Sequence, residues 1–118
     1  MPAPVVHFEV NGTDLKTLMD FYGTVFGWRM DEAMPGSYAL AYTREGDKGI
    51  DGGIGAGVDA ETPAVVFYME VPDPQVTLDQ VVAAGGVVVV PVTDMGMVTY
   101  ALFADPEGHV LGIVKAQP

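Results

Sequence analysis

The sequence predicts an α+β fold of two βαβββ units, and an internal repeat is the main reason. Residues 37–46 (SYALAYTREG) recur as residues 99–108 (TYALFADPEG) at an offset of 62, with five identical positions and a serine–threonine exchange. Residues 7–10 (HFEV) similarly match residues 68–71 (YMEV) at an offset of 61. Because a repeat of this length is typical of one duplicated supersecondary unit, we expect two copies of about sixty residues each.

The first unit begins with an alternating, β-rich stretch over residues 4–10, which predicts a strand followed by a turn at Asn11-Gly12. Apolar residues then recur at helical spacing. Thr13 or Asp14 can cap this helix, and Gly27 can end it. Three further strands are expected over residues 28–32, 37–43 and the glycine-rich 50–55.

The second unit repeats this order after a polar linker over residues 57–63. Residues 65–71 predict a strand, and residues 76–84 predict a helix that follows Pro72-Asp73-Pro74 and ends at Gly85-Gly86. Three strands follow, over residues 87–92, 98–103 and 109–115. We therefore expect one domain over residues 1–118, with units at 1–57 and 64–118 whose sheets form a curved, incompletely closed mixed barrel.

Composition excludes several classes of function. Five basic and sixteen acidic residues give a net charge of −11, which disfavours binding to the phosphate backbone of nucleic acids. The absence of cysteine excludes disulfides and thiolate chemistry. No apolar stretch approaches the ~20 residues of a membrane span, and no signal peptide is visible. We expect a cytoplasmic protein that binds neither nucleic acid nor membranes.

Strand periodicity indicates where a ligand would bind. Successive strand residues point to opposite faces, so His7 and Glu9 share one face of the first strand. Tyr68 and Glu70 likewise share a face of the fifth strand. The alternate, apolar faces suit packing against the helices. These four residues are therefore predicted to line a concave cleft that binds a small, partly apolar molecule.

Two motifs resemble those of a known superfamily. Residues 21–28 (FYGTVFGW) at the end of the first helix, and residues 105–109 (DPEGH) before the last strand, resemble the vicinal oxygen chelate superfamily. That superfamily includes glyoxalase I, extradiol dioxygenases, fosfomycin-resistance enzymes and bleomycin-binding proteins. The resemblance covers essentially the whole chain and implies a glyoxalase-like fold, and it also implies a homodimer. It does not imply one reaction, because the fold serves several.

The resemblance also implies a divalent metal, held by His and Glu side chains from the first and last strand of each unit. His7 matches such a ligand, but its counterpart in the second unit is taken here as Tyr68. The last-strand positions are Gly112 and either Gly53 or Ile50, which offer no ligand side chain. We therefore expect no resident cofactor. The alternative is a relocated Mn²⁺, Fe²⁺ or Mg²⁺ site, in which His7 binds with Glu9, Glu70 or Asp51.

Three functions follow from these residues. The first is a metal-independent, glyoxalase-like protein that binds a small molecule. The second is an enzyme, either a metal-dependent lyase, isomerase or dioxygenase with a relocated site or a metal-free acid–base catalyst that uses His7 and Glu9. The third is a drug-sequestering protein like the bleomycin-binding relatives.

Other conspicuous residues are interpreted as structural. His109 and Asp105 are expected to belong to a surface turn. The aromatic residues near the end of the first helix are expected in the core: Phe21, Tyr22, Phe26 and Trp28.

Overall fold

A computed structural model of the chain describes residues 2–57 and 62–117. Within them the α+β class and the βαβββ order of both units are confirmed. Residues 58–61 of the predicted linker lie outside the described residues. The elements are β1 Val5–Gly12, α1 Leu15–Phe26, β2 Arg29–Met34, β3 Tyr38–Tyr42, β4 Gly52–Ala56, β5 Val65–Val71, α2 Pro74–Ala83, β6 Val87–Asp94, β7 Thr99–Ala104 and β8 Val110–Lys115.

The chain divides into two compact units. The first unit comprises residues 7–65, and the second comprises residues 66–117 together with the N-terminal residues up to 6. Strands of the first unit are ordered β2-β3-β4-β1, and those of the second are ordered β5-β8-β7-β6. In each unit the strand before the helix pairs in parallel with the last strand: β1 with β4, and β5 with β8. The other pairings within the units are antiparallel.

A capping residue at each end fixes where helix α1 begins and ends. The Asp14 carboxylate accepts the backbone N–H of Thr17 at 3.1 Å, which caps the N-terminus. Gly27 ends the helix in the left-handed conformation, with φ at 72°, as the sequence predicts. One face of α1 packs against the sheet of its unit. The buried residues of this helix-side cluster are Leu15, Ala39, Ala41 and Ile54.

The aromatic residues of α1 differ from the expectation. Tyr22 stacks on Trp28 with ring centroids 4.8 Å apart, and both pack against the helix-side cluster. Phe21 and Phe26 are 52% and 60% exposed, so their assignment to the core was wrong within the described chain. The residues of α1 that pack against the cluster are Leu15, Leu18, Met19 and Tyr22, whereas Phe21 and Phe26 contact each other at the surface, with ring centroids 6.3 Å apart.

The second unit has a buried cluster on each face of its sheet. Asp73 caps α2, and Leu78 packs with Val71 and Ile113 on the helix side. On the opposite face the buried residues are Val66, Tyr68 and Leu102. Since most of the residues packed against this second cluster are valines, the face opposite the helix is mainly apolar in this unit.

Strand β1 is longer than the sequence predicts. The expected turn at Asn11-Gly12 is extended strand, in which Asn11 pairs with Gly55. The Asn11 backbone N–H donates to the Ala64 carbonyl at 2.7 Å, and its side chain donates to the Pro63 carbonyl at 3.0 Å. These partners, distant in sequence, satisfy the asparagine without a local turn, so the strand continues.

The turn before β8 agrees with its structural interpretation. The Asp105 carboxylate accepts backbone N–H groups of Glu107 and His109, and the His109 bond lowers the pKa of Asp105. The His109 ring lies 3.0 Å from that carboxylate and is exposed.

Within the described residues, neither helix is long and apolar enough to cross a membrane.

Candidate functional site

The alternation of β1 places His7 and Glu9 on one face of the first unit. Phe8 between them packs into the helix-side cluster, so both polar side chains face away from α1. Their side chains are half-buried, at 28% exposure for His7 and 20% for Glu9. The predicted pairing of these two residues on one face is therefore seen in the structure.

Tyr38, from β3, lies between these two side chains. Ala39 is fully buried on the helix side, so Tyr38 points to the same face as His7 and Glu9. The Tyr38 hydroxyl lies 3.1 Å from His7 Nε2 and donates to Glu9 Oε2 at 3.2 Å. His7 Nε2 and Glu9 Oε2 are themselves 3.6 Å apart. We call these three residues the tyrosine cluster.

A glycine makes room for the tyrosine cluster. Gly53 of β4 pairs with Glu9 on one side and with Leu40 on the other. A Cβ atom at Gly53 would lie 1.8 Å from the Tyr38 hydroxyl oxygen and 2.3 Å from its ring carbon Cζ. The space that a side chain at residue 53 would need is therefore occupied by the end of the Tyr38 side chain.

The electrostatics keep Tyr38 neutral. Burial raises the pKa of Tyr38 well above its ordinary value, and the charge of Glu9 and the hydrogen bond to it raise this pKa further. A hydroxyl has one proton. When Tyr38 donates it to Glu9, the contact with His7 is satisfied by Nε2–H donating to the phenolic oxygen. The cluster thus joins an imidazole, a phenol and a carboxylate in one hydrogen-bonded chain.

The second unit repeats the tyrosine-over-glycine arrangement with a different tyrosine. Tyr68 pairs with Gly112, as Glu9 pairs with Gly53. A Cβ at Gly112 would lie 2.2 Å from the Tyr68 ring. The ring is 8% exposed. Both last-strand positions at which the resemblance expects a ligand are thus glycines covered by a tyrosine.

This register corrects the alignment of the two units. The pair Tyr68–Gly112 lies 59 residues after the pair Glu9–Gly53, and the helix cap Asp73 likewise lies 59 residues after Asp14. The sequence match at an offset of 61 was therefore wrong for the first strands by two residues. The counterpart of His7 is Val66, which is 2% exposed, rather than Tyr68.

The remaining candidates lie as follows. Glu70 is half-buried in β5, and its backbone N–H donates to the Pro4 carbonyl at 2.9 Å. Asp51 accepts the backbone N–H groups of Thr43 and Arg44 and lies 3.7 Å from Arg44 Nε. The Asp51 carboxylate is thus engaged in the β3–β4 connection.

The residues do not fit the metal that the resemblance implies. Across residues 2–57 and 62–117, no group of three or more His, Asp or Glu side chains is arranged to hold a metal ion. Of the four positions, one is His7, one is the apolar Val66, and two are Gly53 and Gly112. We therefore derive no chemical step through a metal.

A comparison with models of protein families gives one match over most of the chain. The model of the Glyoxalase/Bleomycin resistance protein/Dioxygenase superfamily matches residues 5–113. The chain belongs to this superfamily. No curated protein matches it in sequence.

Solved structures agree on the fold of this superfamily member. A superfamily member from Vibrio splendidus 12B01 is 16% identical, with a TM-score of 0.67 over 98% of this chain and 100% of that one. Methylmalonyl-CoA epimerase from Mycobacterium tuberculosis is 13% identical, with a TM-score of 0.69 over 97% of this chain and 88% of that one. A structure described as NAD-dependent benzaldehyde dehydrogenase from Legionella pneumophila is 16% identical, with a TM-score of 0.71 over 94% and 98%.

Sequence reasoning missed Tyr38 as a site residue, although a signal was present. Tyr38 alternates with small alanines in β3, and β4 beside it contains Gly52, Gly53 and Gly55. Glycine within a strand often marks the close approach of another group, here large side chains. A tyrosine next to a glycine-rich strand, on the face of His7, is the pattern that predicts this contact.

Proposed function

We propose that this superfamily member binds a small, partly apolar molecule at the tyrosine cluster, without the divalent metal of its metal-dependent relatives. The single observation that carries the proposal is the position of the Tyr38 hydroxyl. It occupies the space of a side chain at Gly53 and hydrogen-bonds both His7 and Glu9. A polar group that is hydrogen-bonded in advance can orient a ligand without reorganisation on binding.

The chemistry of the cluster favours a ligand with a carbonyl or hydroxyl group. Tyr38 is protonated over the physiological range, as an ordinary tyrosine is, and burial and Glu9 raise its pKa further from that range. Glu9 offers acceptor oxygens, and each ring nitrogen of His7 can donate or accept according to the tautomer. The apolar part of the ligand would contact Leu40, which is half-buried on the same face. Tyr68 and Glu70 remain predicted ligand contacts of the second unit.

A fragment-binding experiment tests the proposal. We expect carbonyl-bearing aromatic fragments to bind the wild-type protein in ligand-observed NMR. The Tyr38→Phe variant should weaken binding about three- to tenfold, the usual effect of losing one neutral hydrogen bond. Tyr22→Phe is the matched control, because Tyr22 packs on the helix side. Equal binding by wild type and both Tyr38→Phe and His7→Ala would refute the proposed site.

The metal-free part of the proposal has its own test. In a calorimetric titration with Mn²⁺, the wild-type protein is expected to show no stoichiometric binding. Stoichiometric binding that disappears in His7→Ala would show that a metal does bind here. That result would favour the relocated site of His7 with carboxylates.

Acid–base catalysis is a second candidate, and the same hydrogen-bonded chain supports it. His7 and Glu9 are two groups able to take up a proton, joined through one hydroxyl. If the cluster is catalytic, His7→Ala abolishes turnover of a bound carbonyl compound and leaves its binding measurable. A ligand that binds tightly and is recovered unchanged would support the binding function instead.

A further inference from the structure

Arg29 lies on the same face of the first unit as the tyrosine cluster. It pairs with Tyr42 at the start of β2, and the next residue, Met30, packs into the helix-side cluster. Tyr42 shares its face of β3 with Tyr38 and Leu40, because Ala39 and Ala41 between them are fully buried on the helix side.

The guanidinium group of Arg29 is held in place by an aromatic ring. Its Cζ lies 4.1 Å from the centroid of the Tyr42 ring, which is within the range of a cation–π contact. This contact limits where the guanidinium group lies, and the N–H groups of the guanidinium remain able to donate. Arg29 is exposed, so these donors are accessible within the first unit.

Arg29 has no carboxylate partner among the described residues, although the chain has sixteen acidic residues and only five basic ones. Lys16 pairs with Asp20 at 2.8 Å, and Arg44 lies 3.7 Å from Asp51. Among the described residues Lys48 and Lys115 also have no ion pair, so what sets Arg29 apart is its contact with the Tyr42 ring. Asp31 is two positions along the same strand face, yet no ion pair joins it to Arg29 in the described part of the chain. A stacked arginine without a counter-ion, in so acidic a protein, has the geometry of a site for an external anion.

We propose that Arg29, stacked on Tyr42, binds the carboxylate of the ligand whose other end contacts the tyrosine cluster. This inference rests on the proposed function and names the substrate class: a small organic carboxylate with an apolar body. Three strand spacings of ~4.8 Å separate β2 from β1, and Tyr38 belongs to β3, which is the strand next to β2. An aromatic acid with a short side chain has a suitable length, and its body would lie over Leu40.

The experiment compares 3-(4-hydroxyphenyl)propionate, whose phenol can hydrogen-bond the tyrosine cluster while its carboxylate meets Arg29, with the uncharged amide of the same compound. Calorimetry on the wild-type protein is expected to give about tenfold tighter binding of the carboxylate, the usual effect of a charge-assisted hydrogen bond. Arg29→Gln should remove this preference and leave amide binding unchanged. Arg29→Lys should retain part of it, because a lysine keeps the charge but loses the planar fork. Arg44→Gln removes an exposed cation of the same unit and should change neither affinity.

The outcomes separate this inference from the proposed function. Equal binding of carboxylate and amide by wild-type protein would overturn the anion site and leave binding at the tyrosine cluster intact. A carboxylate preference that survives in Arg29→Gln would also overturn it. Failure of both compounds to bind the wild-type protein would contradict the anion site and the proposed function together.

Discussion

At the scale of single residues, the main feature is the hydrogen-bonded contact of Tyr38 with His7 and Glu9 in the tyrosine cluster. His7 alone resembles a ligand of the metal-dependent relatives, and Tyr38 connects it to Glu9 through one hydroxyl. The residue that pairs with Glu9 is Gly53, and the phenol ring of Tyr38 occupies the space beside it. These residues therefore form a hydrogen-bonded group centred on a tyrosine that holds its proton.

The raised pKa of Tyr38 predicts a pH dependence of stability. In the unfolded chain Tyr38 ionises near its ordinary value of 10.0, whereas in the folded chain it keeps its proton to higher pH. The folded state then binds more protons than the unfolded state above pH 10. The free energy of unfolding should therefore fall as pH rises through this range, by up to about 1 kcal/mol per pH unit.

Urea unfolding on either side of pH 10 measures this effect. Tyr38→Phe is the informative comparison, because the other four tyrosines are retained and only the buried phenol is removed. The variant should show a shallower fall in stability than the wild type. Parallel curves for the two proteins would mean that Tyr38 does not carry the effect.

At the scale of secondary structure elements, the glycines of β4 determine what can approach the strand. Gly52 faces the Phe8 ring, Gly53 faces Tyr38, and Gly55 faces the side chain of Asn11. Glycine weakens strands in isolation, but here each missing side chain admits a large one from a neighbouring strand. The glycine-rich segment thus contributes to packing rather than to a phosphate-binding loop.

Two alanine substitutions test this packing. In Gly52→Ala the new Cβ would lie 2.4 Å from the Phe8 ring and 2.5 Å from the Phe8 backbone oxygen, which cannot move aside cheaply. We expect a loss of about 1–3 kcal/mol in the free energy of unfolding, as for overpacked cores.

Gly23→Ala is the matched control in the same unit. Gly23 lies inside α1, and the new Cβ would lie 3.5 Å from the Trp28 backbone oxygen, an ordinary contact. Since alanine favours helices over glycine, this variant should gain about 0.5–1 kcal/mol. Chemical denaturation of both variants gives the comparison, and a neutral Gly52→Ala would contradict the packing argument.

At the scale of the whole molecule, the two units share one element order but differ on the sheet face opposite the helix. In the first unit, the face opposite the helix carries a hydrogen-bonded polar cluster. In the second, the corresponding face carries buried Val66, Tyr68 and Leu102. The first unit thus has a histidine where the second has a valine at the equivalent position.

Native mass spectrometry of the purified protein tests two predictions for the whole molecule. We expect the mass of two chains, because the resemblance implies a homodimer, and no bound metal. A retained organic molecule would be a direct lead to the ligand. A single-chain mass would refute the dimer, and a metal adduct lost in His7→Ala would refute the metal-free proposal.

Much of the fold could be predicted from local patterns. Helical spacing, the Asp14 cap and Gly27 located α1 correctly, because these signals act within a few residues of each other. The extension of β1 through Asn11 could not be predicted in this way, since its partners at Pro63 and Ala64 are more than fifty residues away.

The candidate site was predicted in part. Periodicity placed His7 and Glu9 on one face, and the structure agrees. The sequence match gave His7 the wrong counterpart, because short similar segments can align two residues out of the register that strand pairing imposes. Tyr38 and Arg29 were not singled out for the site, because their roles depend on contacts across strands.

The sequence by itself determined the α+β class, the two βαβββ units and the superfamily. It also placed His7 where the resemblance implies a metal ligand. These depend on local periodicity, capping residues and motifs, which are properties of neighbouring residues. Only the tertiary structure decided which groups meet: the Tyr38 hydroxyl with His7 and Glu9, and Arg29 with the Tyr42 ring. The physical reason is that strand register brings together residues far apart in the chain, and register is fixed by pairing between strands rather than by any one strand.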